Sequence, residues 1–529
     1  MMNKLGLIII SVICALIQTG CAEQSTWMSL NSSNPRIIWE VKPQADLENI
    51  TGEQISTPEF KMSDYVKGVV PGTVFTAYVE AGIVPDPNYA DNIYKVDETF
   101  YNRPFWYRTE FELPSSYSEG KRVWLHFDNT NRFADFYFNG EKISGTKAST
   151  KDVSGHMLRS KFDVTNLIKK SGKNVIAVLI TDADQKKTRK AKDPYGVACS
   201  PSYLAGAGWD WMPYVPGRLA GITGNAYLVV TGDVVMEDPW VRSELPTLQK
   251  AELSVSTDIR NASSSLKDVV VSGVIQPGNI SFSKDIRVEG GTTARLSINK
   301  DDIAQLVVDH PKLWWPNGYG AQSLYNLSLE MVRDSQVLQT KNIRFGIREF
   351  SYKLMAQTSE KKNVRFSYSP TDVDNKEMSL FNYKERATIK SPVSSQVDIP
   401  TLSKGAEQYL QEETDQSDNP FLTICVNGKP IFCRGGNWGM DDGMKRVTRE
   451  RLEPYFRLHK EANFTMVRNW TGESTEELFY ALCDEYGLLV WNDFSISTQG
   501  YNLEPLDNDL FLSNAQDIVV RFRNHPSIA

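Results

Sequence analysis

Histidine is scarce and scattered. Only five occur, His126, His156, His310, His459 and His525, and none is spaced to share a metal ion with another, so no protein-held metal centre is expected. Cysteine is sparse as well. Cys14 and Cys21 lie in the amino-terminal leader, and the remaining Cys199, Cys425, Cys433 and Cys483 form neither a C-x-x-C pair nor a zinc spacing. Three of these four fall in apolar runs, where a thiol packs as a small hydrophobe. No disulfide framework is expected. Basic excess is also lacking: 58 Lys and Arg against 65 Asp and Glu leave a net charge of −7. That excludes the electrostatic footprint of a nucleic-acid binder. No apolar run reaches the ~20 residues of a comfortable transmembrane helix.

What is present is length and ordinary globular composition. The 529 residues suffice for three or four domains at roughly 150 residues each. The amino terminus reads as an export signal. Lys4 precedes an apolar run from Leu5 to Ile17, which gives way to Gln18-Thr19-Gly20-Cys21. Thr19-Gly20 before Cys21 resembles a bacterial lipoprotein box, although Gln18 stands where an aliphatic residue is usual. That resemblance implies cleavage after residue 20 and lipidation of Cys21. The expectation is an exported periplasmic or outer-membrane lipoprotein, held to the membrane by its lipid alone.

From residue 27 to 232 the pattern is β-rich. Val123 to Asp128 alternates apolar and polar residues, as a half-buried strand does. Phe136-Tyr137-Phe138 runs into Asn139-Gly140, the strongest short hairpin signal, because a type I′ turn needs positive φ at both central residues. Many short strands with turn punctuation predict a jelly-roll sandwich with added loops. In residues 233–350, Leu253, Val255, Thr257 and Ile259 alternate with polar neighbours, and evenly spaced strands predict an immunoglobulin-like sandwich. Periodicity fades over 351–419, where Ser, Asp, Lys and Glu dominate. This stretch is read as an inserted, irregular segment.

Over 420–529 the period changes. The strand-like runs Phe464–Arg468 and Leu488–Trp491 alternate with helical stripes. Thr448 can cap one helix, and Ser474 with Glu477 spells a capping box for the next. Phe511, Ala515, Ile518 and Phe522 recur at helical spacing, and Pro526 to Ala529 reads as the entry to a fourth strand. Strand alternating with helix predicts about three parallel β/α units.

Taken in order, certain segments resemble glycoside hydrolase family 2. They are Val70-Pro71-Gly72-Thr73, Trp106-Tyr107-Arg108, Gly208-Trp209-Asp210-Trp211, Pro216-Gly217-Arg218, Leu313-Trp314-Trp315-Pro316, Phe345-Gly346-Ile347-Arg348, Gly435-Gly436-Asn437-Trp438 and Arg523-Asn524-His525-Pro526-Ser527. The resemblance is nearest to the exo-β-glucosaminidase and β-mannosidase branch. It implies a (β/α)₈ barrel, here incomplete, with the site at the C-terminal ends of its strands. It also implies retaining chemistry by two carboxyl groups about 5–5.5 Å apart, for which no cofactor is needed. The family's acid/base follows the fourth barrel strand and its nucleophile ends the seventh. Both positions are expected beyond Ala529, so no catalytic residue is assigned.

The resemblance places other residues at the sugar. Arg468, Asn469 and Trp470 end the second strand, and Asp493 ends the third. Trp438 and Asp441, with Asp442 beside them, lie in the first β/α loop. Trp209, Asp210 and Trp211 combine indole faces for a pyranose with a carboxylate for its hydroxyls. Glu473 is read as helix-start chemistry, and Trp314-Trp315-Pro316 as packing at a domain junction. The expected partner is an oligosaccharide or polysaccharide whose terminal β-linked glucosamine or mannose is removed. A second reading is a non-catalytic glycan-binding lipoprotein.

Overall fold

The structure is a computed structural model. It describes residues 26–529 except 114–116, 118–120, 145–154, 156, 182–200, 205, 207–214, 378, 391–395, 415–419, 496–504 and 506. The export signal with Cys21 and the Trp209-Asp210-Trp211 motif therefore lie outside the described residues.

Two antiparallel sheets make the first sandwich. One has the strand order Val66–Gly68, Trp39–Pro43, Phe105–Phe111, Asn174–Thr181, Phe133–Phe138, Glu141–Lys142. The other runs Thr26–Ser29, Ala226–Thr231, Arg122–Phe127, Ser160–Asp163. Alternation turns Trp39, Tyr107, Phe136 and Phe138 of the first sheet onto Val123, Leu125 and Phe127 of the second, all fully buried. The hairpin at Asn139-Gly140 forms as its sequence predicts, with φ of 48° and 92°. On the outer face the buried Arg108 bonds Glu40 (2.8 Å) and Glu110 (2.6 Å).

A second sandwich follows. Val234–Thr247, Lys250–Asn261 and Thr293–Ile298 form one sheet. Ile280–Val288, Lys267–Gln276, Tyr325–Arg333 and Gln336–Phe345 form the other. Leu253, Val255 and Ile259 point inward onto Val271, Leu327 and Leu329, as the alternation requires.

The described residues of 351–419 are not irregular. Strands Phe350–Gln357, Asn363–Tyr368, Phe381–Ile389, Val397–Leu402 and Gln411–Glu412 join Thr423–Val426 and Lys429–Pro430 in one seven-stranded sheet. Its apolar core is small, built on Leu354, Ala356, Phe366 and Leu402. The outer faces carry Lys, Glu and Ser at successive positions, and this polar sequence hid the period of two. The hairpin at Asn427-Gly428 pairs back onto this sheet, Val426 opposite Phe350.

Three parallel strands come last in the order Gly435–Trp438, Met466–Asn469, Leu489–Asn492, with helices Arg449–Glu461, Glu477–Tyr486 and Asn508–Phe522. Ile528 bridges Val490 in parallel, where a next strand would begin. Gly435 approaches its neighbour so closely that a Cβ would stand 1.7 Å from the Met466 carbonyl oxygen. Thr448 caps the first helix, its side chain accepting the Arg451 N–H. The capping box expected at Ser474 and Glu477 does not form. Glu476 occupies the cap position without a side-chain bond. The Ser474 hydroxyl instead accepts the Trp438 indole N–H at 2.9 Å, and Glu477 pairs with His525 at 2.9 Å. Tertiary partners outbid the local motif.

Trp314 is the junction residue its sequence context implied. It is fully buried, its indole N–H donates to the Asp484 carbonyl (2.9 Å), and the Trp314 carbonyl accepts from the Asn427 side-chain amide (3.0 Å). Among the described residues no helix is long and apolar enough to cross a membrane.

Candidate functional site

Strand alternation divides the parallel sheet into two faces. Val467 and Val490 turn toward the helices and pack with Leu452, Phe456, Phe479 and Leu482. Asn437, Arg468 and Trp491 are in register across the other face. Parallel sheets are normally covered on both sides, yet Asn437 is exposed and Trp491 is 44% exposed. Below this row, Met466 and Leu489 rest on Trp314, Phe350, Val426 and Ile431. The open face is thus a polar and aromatic row above an apolar floor.

At the C-terminal end of the row Arg468 grips Asp493 with both arms, Nε to Oδ1 at 3.1 Å and Nη2 to Oδ2 at 2.6 Å. Asp493 also accepts the Thr471 N–H at 3.1 Å. Thr471 has φ of 53°, a left-handed conformation that aims its N–H at the carboxylate. Asp493 is therefore buried and held, while Arg468 reaches the open face.

The other expected residues of this region have structural partners. Asn469 is fully buried. Its amide donates to Ser474 O (3.0 Å) and Asn492 Oδ1 (2.8 Å), and its Oδ1 accepts the Ser474 N–H (3.1 Å). Trp470 is buried. The Trp438 ring packs 5.3 Å from Phe456 and 5.8 Å from Phe479, centre to centre, on the helix side. Asp441 pairs with Arg451 (3.2 Å) and Asp442 with Arg446 (2.7 Å). Burial raises the Asp441 carboxyl, whereas at Asp442 the Arg446 contact outweighs burial and lowers it. Of the expected set, the open face brings together Arg468 and Asp493. It adds Asn437 and Trp491, which strand register counted out from Arg468 could have found.

The first and second β/α loops are seated against the first sandwich. Met444 enters the sandwich core, and its carbonyl accepts the Thr76 hydroxyl. Asn129 donates to the Thr475 hydroxyl at 2.9 Å. Between them lies Lys445, 2% exposed, bonded to the Glu473 carbonyl and the Glu476 carboxylate, with its ammonium 4.8 Å from the Tyr203 ring centre. Burial pulls its pKa down to about 7, only partly countered by Glu473, Asp442 and Asp441. Glu473 is fully buried in this cluster, away from the helix-start role its position suggested. Tyr203 also stands at the neck of the segment that carries Trp209, Asp210 and Trp211. The neck closes where Val215 N–H donates to Gly206 O at 3.2 Å. Among the described residues no group of three His, Cys, Asp or Glu side chains could hold a metal ion.

The model of the glycosyl hydrolase 2 galactose-binding domain-like family matches residues 39–224, and that of the glycosyl hydrolases family 2 matches residues 234–348. The chain belongs to glycoside hydrolase family 2. It is 28% identical over 527 residues to a mannosylglycoprotein endo-β-mannosidase of Lilium longiflorum, covering 93% of this chain and 47% of that protein. It is 24% identical over 487 residues to an exo-β-D-glucosaminidase of Streptomyces avermitilis, covering 90% and 44%. Its fold is similar to that of the Amycolatopsis orientalis exo-chitosanase, with a TM-score of 0.67 at 18% identity over 95% of this chain and 48% of that one. The chain spans about half the length of the curated relatives it matches.

Proposed function

We propose that this chain is the amino-terminal half of an exported retaining β-glycosidase that removes terminal β-linked glucosamine or mannose from glycans. In this reading the sandwich at residues 27–232 is a jelly-roll and that at 233–350 is immunoglobulin-like. The parallel strands open a (β/α)₈ barrel whose acid/base and nucleophile lie beyond Ala529. The observation that carries the reading is the uncovered row of Asn437, Arg468 and Trp491 ending at the Arg468–Asp493 pair. An indole face covers the C–H face of a pyranose, and a guanidinium beside the reacting carbon would keep a neighbouring nucleophilic carboxylate ionised. By the resemblance of their motif, Trp209, Asp210 and Trp211 would add indole faces and a carboxylate for the sugar. Trp438, Asn469 and Asp441 act behind the open face, fixing the loops.

The test is release of p-nitrophenol from the β-mannoside and the β-glucosaminide by the native protein purified from its own cells. The first sugar released should keep the β configuration. No hydrolysis of either substrate contradicts the reading. Binding without hydrolysis favours the alternative, a non-catalytic glycan-binding lipoprotein. Export through Cys21 is tested separately, by incorporation of labelled palmitate that Cys21→Ser abolishes.

A further inference from the structure

At the opposite end of the parallel strands from Asp493 lies a cavity of about 290 Å³. The second sandwich, the Pro370–Asn375 helix and the turn after the last helix enclose it. Three guanidinium groups line it, from Arg242, Arg348 and Arg523, against a single carboxylate, Asp374. The Asp374 carboxylate is already engaged with Arg242 at 2.7 Å. Arg348 and Arg523 have no ion-pair partner among the described residues. Arg348 donates through Nε to the Pro526 carbonyl (3.3 Å), and Arg523 through Nη2 to the Asp238 carbonyl (2.7 Å).

Two further observations point to a missing acceptor. The Nε atoms of both Arg242 and Arg523 are buried without a hydrogen-bond partner, an arrangement that costs free energy unless an acceptor arrives. Both guanidinium groups also stack on Trp240, with Cζ 5.0 Å and 4.7 Å from its ring centre. This holds two like charges close to one indole of the cavity lining. Burial lowers Arg348 to about 10 against the opposing charges of Asp484 and Glu349, and burial with the charge of Arg295 lowers Arg523 against those of Asp238 and Asp258.

We propose that this cavity is a binding site for a small oxyanion, held by Arg242, Arg348 and Arg523 against Trp240, and separate from the sugar-binding face. Guanidinium donors suit both phosphate and carboxylate oxygens. The occupant is thus either free phosphate or the carboxylate of a sugar acid. The site stands independently of the glycosidase reading.

The test is calorimetric titration of the native protein with inorganic phosphate and, separately, with glucuronate. Chloride maintains constant ionic strength, so that general screening is removed. The expected result is saturable binding of at least one anion, weakened tenfold or more in both Arg523→Gln and Arg242→Gln. The anion that binds identifies the source. Arg242→Gln alone decides if Arg523→Gln does not fold. Saturable binding of neither anion, or binding undiminished in Arg242→Gln, overturns the proposal.

Discussion

Arg468 and Asp493 end neighbouring parallel strands and are joined by two hydrogen bonds, at 3.1 Å and 2.6 Å. The pair sits at the C-terminal ends of the parallel strands, which is where barrel enzymes place their chemistry if the proposed barrel holds, with one partner buried and the other reaching the open face. Asp493→Ala should leave that guanidinium unfixed and the Thr471 N–H without its acceptor. The expected cost is about 1–3 kcal/mol of stability, since Arg468 retains solvent contact. If the glycosidase reading holds, kcat/KM falls by about two orders of magnitude. Urea unfolding and steady-state kinetics on the native protein check the two effects separately.

His525 donates a pH dependence of known sign. Its ring bonds Asp484 at 2.6 Å and Glu477 at 2.9 Å. Burial alone would lower its pKa, but the Asp484 charge and both hydrogen bonds outweigh it and raise the value to about 9. A folded pKa above the unfolded ~6.5 means the cationic form stabilises the fold. That contribution, about 3 kcal/mol by linkage, is fully present below pH 6.5 and lost as pH rises toward 9. Comparing urea unfolding of wild type and His525→Gln at pH 6 and pH 9.5 isolates it. The gap between the two should shrink at the higher pH.

Met444 joins the first β/α loop to the core of the first sandwich. Met444→Ala should cost about 2–5 kcal/mol, by loss of buried volume and the cavity left behind. It should also free Lys445, whose burial depends on that seating. Faster hydrogen exchange over residues 440–447 reads this directly.

A polypeptide expressed to end at Ala529 should bind glycan but release no p-nitrophenol from aryl β-glycosides. Past the Val490–Ile528 bridge its last parallel strand would present an unpaired edge, so the amide of Asn492 should exchange faster than in the native protein. Detectable turnover by that fragment would contradict the placement of both catalytic carboxylates beyond residue 529.

Much of the fold was legible because long-range packing agreed with local pattern. The alternation of Leu253, Val255 and Ile259 and the turn at Asn139-Gly140 meant what they said. The sheet at 351–419 was not legible, since its small core leaves Lys, Glu and Ser on most outward positions and the period of two is diluted. The Ser474–Glu477 box misled for another reason: His525 and Trp438, distant in sequence, claim those side chains. Arg468 and Asp493 could be picked from motif resemblance. Trp491 and Asn437 follow only from strand register, and the seating of Lys445 under Tyr203 depends on contacts that no local signal carries.

The account turns on the row of Asn437, Arg468 and Trp491 being the surface that meets sugar. The direct test is calorimetric titration of the native protein with a β-1,4-linked mannose disaccharide and with the corresponding glucosamine disaccharide. One of the two should bind, and Trp491→Ala, which removes an indole 44% exposed in this structure, should weaken it tenfold or more. Equal affinity in wild type and Trp491→Ala would place the sugar elsewhere and contradict the account.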